Sequence, residues 1–143
     1  VKAWQRLSLE SDSTVAGCRW GSTLDADGGR GAVVRSFAES GDRRLERTLR
    51  LSWWRWWLVR RRLEAVEPES LVPEDAWEDG LDTLSVEWMV DGRVFVVESP
   101  VPLRHGPLAR LVALLSEVGD CGGLMDALDG GPLPAGAVRV RTP

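Results

Sequence analysis

Leu51-Ser52-Trp53-Trp54-Arg55-Trp56-Trp57-Leu58-Val59 holds four of the chain's eight tryptophans, and Arg60, Arg61 and Arg62 follow at once. Neither Gly nor Pro interrupts residues 43–66 after Gly41, and the reading of this stretch decides the architecture. At 100° per residue, Leu45, Leu49, Trp53, Trp56, Trp57, Val59, Leu63 and Val66 fall on one half of a helical wheel. Leu45, Leu49, Ser52, Trp56, Val59, Leu63 and Val66 also step alternately by four and three, as a helix seam does. The rival is a strand over residues 46–53, because Thr48-Leu49-Arg50-Leu51-Ser52-Trp53 alternates. The spacing favours a helix over residues 54–65. Residues 46–53 are left as its first turns or as a preceding strand.

On that helix Leu51, Trp54 and Leu58 project from the opposite side, among Arg47, Arg55, Arg61 and Arg62. Exposed Trp and Leu with Arg beside them have the composition of an interface centre. Leu51, Trp54, Arg55, Leu58, Arg61 and Arg62 are therefore the candidate interface. The competing reading buries the stripe under the N-terminal strands or the C-terminal tail. Residues 42–64 carry eight arginines against three carboxylates, whereas residues 67–98 carry ten carboxylates and only Arg93. Mutual neutralisation within the fold is the simplest explanation of both. Between them lies a connector, residues 66–80, in which Pro73 suits the first position of a short helical turn reaching Trp77.

Downstream, residues 83–98 form the clearest motif. Two alternating apolar runs flank Asp91-Gly92, a pair suited to a type I′ turn because both central positions need positive φ. A two-residue loop pairs Val90 with Arg93, Trp88 with Phe95 and Val86 with Val97, so Leu84, Val86, Trp88, Val90, Phe95 and Val97 share a face that a helix must cover. Pro107 opens a helix over residues 107–118 that Gly119 stops. Its stripe of Leu108, Leu111, Val112, Leu115 and Val118 is the expected cover for the hairpin. Residues 124–128 offer one further turn.

Upstream the pattern is weaker. Residues 3–9 read as an edge strand, residues 10–13 as a polar break, residues 14–20 and 32–37 as two more strands, and residues 25–31 as a turn rich in Asp and Gly. Residues 129–143, rich in Gly and Pro, read as a tail in which residues 137–141 are an edge strand or disordered. The whole is an α+β chain: residues 1–128 as one small domain with a β-rich start, an Arg/Trp-rich helix, a β-hairpin and a C-terminal helix.

At 143 residues with 43% hydrophobic and 28% charged content, the chain is long enough for one buried core. A net charge of −4 argues against a general nucleic-acid binder. The abundance of Arg over Lys, with Ala, Gly and Val, reads as a GC-rich bacterial genome. No apolar run follows the charged start as in a secretory signal, and none approaches the ~20 residues that span a bilayer. The expected location is the cytoplasm. Cys18 and Cys121 form no CxxC pair and read as two free thiols.

Asp25-Ala26-Asp27-Gly28-Gly29 fails as a calcium loop, because Gly29, Arg30 and Ser36 stand where a ligand, a glycine and a glutamate are needed. Gly28-Gly29-Arg30-Gly31 lacks the spacing and the lysine of a phosphate loop. His105 is the sole histidine, at the start of a helix and without local partners for zinc. No catalytic, cofactor or metal site is assigned.

From residue 81 to residue 117 the chain resembles the C-terminal half of emfourin-type bacterial inhibitors of thermolysin-like metalloproteases. The similarity rests on the hairpin Ser85-Val86-Glu87-Trp88-Met89-Val90-Asp91-Gly92-Arg93-Val94-Phe95-Val96 followed by the helical Pro107-Leu108-Ala109-Arg110-Leu111-Val112-Ala113-Leu114-Leu115. It covers about a quarter of the chain and implies a fold that begins with strands and a helix. The family's glycine-rich inhibitory segment has no counterpart, Val15-Ala16-Gly17 being a poor substitute, so no inhibitory residue is carried over. The reading is a non-enzymatic protein that binds another protein or itself, as inhibitor, antidote or assembly subunit. The alternative is a nucleic-acid-binding module using Arg60, Arg61 and Arg62, and an enzyme stands behind both.

Overall fold

A computed structural model describes residues 4–15, 17–27, 31–72, 82–101 and 106–141. Its frame is a seven-stranded antiparallel sheet with helices on one face. In chain order the strands are β1 (Trp4–Val15), β2 (Cys18–Asp27), β3 (Gly31–Ser40), β4 (Arg43–Arg50), β5 (Asp82–Val90), β6 (Arg93–Val101) and β7 (Ala137–Arg141). The helices are α1 (Trp53–Glu64), α2 (Pro107–Gly119) and α3 (Cys121–Leu128). The spatial order is β6-β5-β1-β2-β3-β4-β7. A four-strand meander thus occupies the middle, the hairpin extends it on one side and the tail closes it on the other. The α+β class is as read from the sequence. Among the described residues, no helix is long and apolar enough to cross a membrane.

Alternation sets the two faces of the sheet. Leu7 and Leu9, Leu24 and Ala26, Ala32 and Val34, and Leu84, Val86, Trp88 and Val90 are buried and form one core with α1 and α2. A smaller cluster joins Ala38 and Leu45 to Leu124, Ala127 and Leu128 of α3. The other face carries a charged ladder. Arg19 donates to Asp12 (Nε to Oδ1, 3.1 Å), and Arg44 donates to Glu39 (2.7 Å) and Glu46 (2.8 Å). Phe37 lies between those two guanidiniums, 5.2 Å from Arg19 and 4.5 Å from Arg44.

The hairpin has the expected register, Val90 opposite Arg93, Trp88 opposite Phe95 and Val86 opposite Val97. Asp91 (φ 52°) and Gly92 (φ 76°) are both left-handed, as a type I′ turn requires. α2 begins at Pro107, and the expected single turn at 124–128 is the C-terminal part of α3. Residues 137–141 are an edge strand on β4.

Several expectations are corrected. The strand read as an edge is β1, an interior strand running unbroken through residues 10–13 and paired on both sides. The strand expected over residues 14–20 straddles the turn between β1 and β2. Of the two readings left open for residues 46–53, the preceding strand holds and the first helical turns do not: β4 runs to Arg50 and α1 starts at Trp53. α2 lies over β1, β2 and β3 more than over the hairpin. Its buried residues are Leu108, Leu111, Leu114 and Leu115, while Val112 and Val118 are half-buried. Part of the acidic segment expected to neutralise the basic element, Glu74, Asp75, Glu78 and Asp79, lies outside the described residues. Arg44, Arg60 and Arg62 take carboxylates from Glu39 and Glu46, Glu64, and Glu117. The expected turn at Pro73 and the role of His105 lie outside the described residues.

Candidate interaction surface

α1 leaves the end of β4 through Leu51, whose N–H donates to Ala32 O at 3.0 Å. Ser52 is extended (φ −62°, ψ 158°) and Trp56 N–H returns to its carbonyl at 2.8 Å, the first helical bond. No acid occupies the first turn, but Arg61 and Arg62 in the last turn complement the negative end of the helix dipole. Only Trp56, Val59 and Leu63 are buried, a narrow stripe at i, i+3 and i+7.

The opposite side is exposed and largely apolar. Trp53 is 81% exposed, Trp54 58%, and Trp57 and Leu58 are also open to solvent. At 100° per residue these four span an arc of about 140°, centred roughly opposite the buried stripe, and Arg61 falls within it. Arg61 lies over the ring of Trp57, 5.0 Å from its centroid, and Arg55 over Trp54 at 5.7 Å. Arg55 and Arg61 are both exposed. Arg60 and Arg62 on the flanks differ, because Arg60 donates to Glu64 at 3.0 Å and Arg62 to Glu117 of α2. Beside Arg62 a hollow of about 160 Å³ opens between α1 and α2, lined by Arg62, Ala65, Val66, Arg110, Leu111 and Leu114.

Four of the six residues singled out from sequence, Trp54, Arg55, Leu58 and Arg61, therefore share an exposed surface. Arg62 lies at its margin in an ion pair. Leu51 does not belong, because it precedes the helix and is buried in the core. The burial alternative fails for Trp54 and Leu58. Trp53 and Trp57, assigned to the inner half, belong to the surface instead. On the wheel they stand about 80° and 120° from Leu63, at the margin of the inner half, and no signal in the sequence separates them from it.

Other sites are less developed. A hollow of about 330 Å³ opens around Arg6, Asp25, Asp27, Gly31, Val33 and Arg50. Cys121 is buried against Ser22 (Sγ to Oγ, 2.9 Å), and burial pushes its thiol pKa up more than the Ser22 hydrogen bond lowers it. Cys18 is half-buried and also free. Among the described residues, no three His, Cys, Asp or Glu side chains come together as a metal would need. No protein-family model, curated protein or solved structure matches the chain.

Proposed function

We propose that this protein works in the cytoplasm by binding another protein, and that α1 docks an acidic segment bearing apolar side chains. One observation carries the reading: Trp53, Trp54, Trp57 and Leu58 are exposed together on one helix, with Arg55 and Arg61 stacked on two of the rings. Large exposed apolar groups lower a folded chain's solubility and are retained where a partner covers them. Trp and Arg are also the side chains that dominate interface energetics. The charge of the surface selects a partner of opposite sign. The nucleic-acid alternative is weakened because Arg60 and Arg62, two of its three arginines, already face Glu64 and Glu117.

The test is capture from a lysate of the source cell with the wild type, Leu58→Glu and Arg55→Glu/Arg61→Glu side by side. A partner retained by the wild type and lost from both variants, with melting temperatures unchanged, supports the reading. Equal capture by all three overturns it. Retention on DNA at low salt that falls steeply between about 50 and 200 mM would transfer the surface to the nucleic-acid alternative. A thermolysin-like protease is a direct probe for the inhibitor form of this reading, given the resemblance of residues 81–117. Inhibition lost in Leu58→Glu would identify the class of partner.

A further inference from the structure

The two edges of the sheet are protected to different degrees. β7 is five residues long and carries an exposed Arg139. β6 has nine residues, and between Arg93 and Glu98 it reads Val94-Phe95-Val96-Val97 without a charge. Natural edge strands are ordinarily shortened, charged or covered, because their free N–H and C=O groups invite another strand. Among the described residues nothing pairs with the outer side of β6.

The hairpin register fixes which backbone groups are free. In a two-residue hairpin the residues closing the loop, Val90 and Arg93, exchange both hydrogen bonds, and bonded and non-bonded pairs alternate from there. Arg93, Phe95, Val97 and Ser99 therefore direct N–H and C=O toward β5. Val94, Val96 and Glu98 direct theirs outward. Pro100 is next in the outward series, where its missing N–H removes no bond to β5. The side chains of the outward residues lie on the face without helices. Val94 is 54% and Val96 68% exposed, and the exposed Met89 is the cross-strand neighbour of Val94.

We infer that β6 is a self-complementary edge that pairs antiparallel with β6 of a second copy, with Val96 on the two-fold axis. Val96 then faces its own copy, Val94 faces the second copy's Glu98, and Phe95 faces its Val97. In this register Val94, Val96 and Glu98 each exchange both backbone bonds, and pairing stops where Pro100 has no N–H to give. The strand's two charges sit at opposite ends, so antiparallel pairing sets the Arg93 end beside the Glu98 end and keeps like charges apart. Even-numbered residues meet even-numbered ones, so the open faces stay together and both helical layers lie on one side. One edge from each copy is consumed and the contact closes as a dimer. A two-fold contact through α1 is the poorer rival, since it would bring Arg55 and Arg61 against their own copies. This inference does not depend on α1 binding a partner.

The experiment is sedimentation equilibrium of the full chain under reducing conditions, so that Cys18 cannot cross-link. The wild type is expected to sediment as a reversible dimer of the 15.8 kDa chain. Val94→Glu sets a carboxylate opposite the second copy's Glu98 and should weaken the dimer about tenfold, whereas Val94→Arg should tighten it, because each substitution acts twice across the axis. Both change an exposed residue, so thermal unfolding measured well below the dissociation constant should match the wild type. Val96→Pro, which deletes an outward N–H only, should dissociate the dimer as well. A wild type monomeric at high micromolar concentration overturns the inference. So does a dimer that the two Val94 variants shift in the same direction, or one that Leu58→Glu dissociates.

Discussion

Gly119, the last residue of α2, lies so close to Ser22 of β2 that a β-carbon on it would stand 2.0 Å from Ser22 Oγ and 2.8 Å from Ser22 Cβ. The helix end is held there by three hydrogen bonds. Ser36 Oγ donates to Gly119 O at 2.7 Å, while Arg47 Nη1 reaches Val118 O at 3.2 Å and Gly119 O at 3.4 Å. Arg47 also donates through Nε to Ala135 O at 2.9 Å, joining the last loop to the same point. Arg47 is buried and is satisfied by carbonyls at a helix C-terminus, where a cation is favoured. Short side chains on the strands beneath, Ser22, Ser36 and Ala38, permit the approach.

Gly119→Ala should therefore push α2 off the sheet. Overpacking of this kind costs about 1–3 kcal/mol, or a fall in melting temperature of roughly 3–10 °C for a chain of this size. The double variant Ser22→Gly/Gly119→Ala removes both atoms the methyl would meet. It should lose less stability than the two single losses added. Strict additivity would mean that the close contact is not the cause.

Cys121 makes stability depend on alkaline pH. Burial is the main reason its thiol pKa is raised, Asp120 adds to it, and Ser22 and Arg47 pull the other way. A folded pKa above the unfolded one means that the folded state holds the proton longer. Stability is then fully present below the unfolded thiol value, about 8.5, and falls as pH rises from there toward the folded value. Denaturation midpoints should fall above that pH in the wild type and fall less in Cys121→Ala. Parallel curves would assign the alkaline loss to other groups.

The hairpin was legible because two signals agree: alternation on both arms and a residue pair that tolerates positive φ. α1 was legible as a helix, but its phase was not. Trp53 and Trp57 stand about 80° and 120° from Leu63 on the wheel, at the margin of the half assigned to the core, and their apolar character gave no reason to leave them outside it. β1 was misread for a different reason. Residues 10–13 read as a polar break, yet Glu10 and Asp12 belong to an ionic outer face, with Asp12 held by Arg19, and the pairing itself is made by the backbone and leaves no mark in the side chains. The anchoring of Gly119 joins residues nearly a hundred positions apart, and no local pattern encodes it.

Two tryptophans that look alike in sequence should respond differently. Trp88 is fully buried among the core residues of β5 and the helices, so Trp88→Ala should cost about 3–5 kcal/mol. Trp53 is the most exposed large apolar side chain on α1, and Trp53→Ala should stay within about 0.5 kcal/mol of the wild type. Chemical denaturation of both variants checks the pair. A stable Trp88→Ala would remove the hairpin from the core.

Leu51 and Leu58 give the sharpest test of the surface, since the sequence grouped them on one stripe and the structure separates them. Leu51 is buried where β4 hands over to α1, with its N–H bonded to Ala32. Leu51→Ala should cost about 2–5 kcal/mol and leave partner affinity unchanged in the molecules that remain folded. Leu58 is exposed one turn beyond Trp54, so Leu58→Glu should melt with the wild type. It also brings a carboxylate into a surface whose charge selects for acidic partners, so binding should fall by more than the tenfold expected from apolar truncation alone. Self-association through β6 should not respond to it, because α1 and that edge are separate surfaces. Calorimetry, partner titration and sedimentation on the same two variants separate the three effects. A Leu58→Glu protein that binds as the wild type does would take the interface away from α1. One that unfolds would show this face to be covered within the chain.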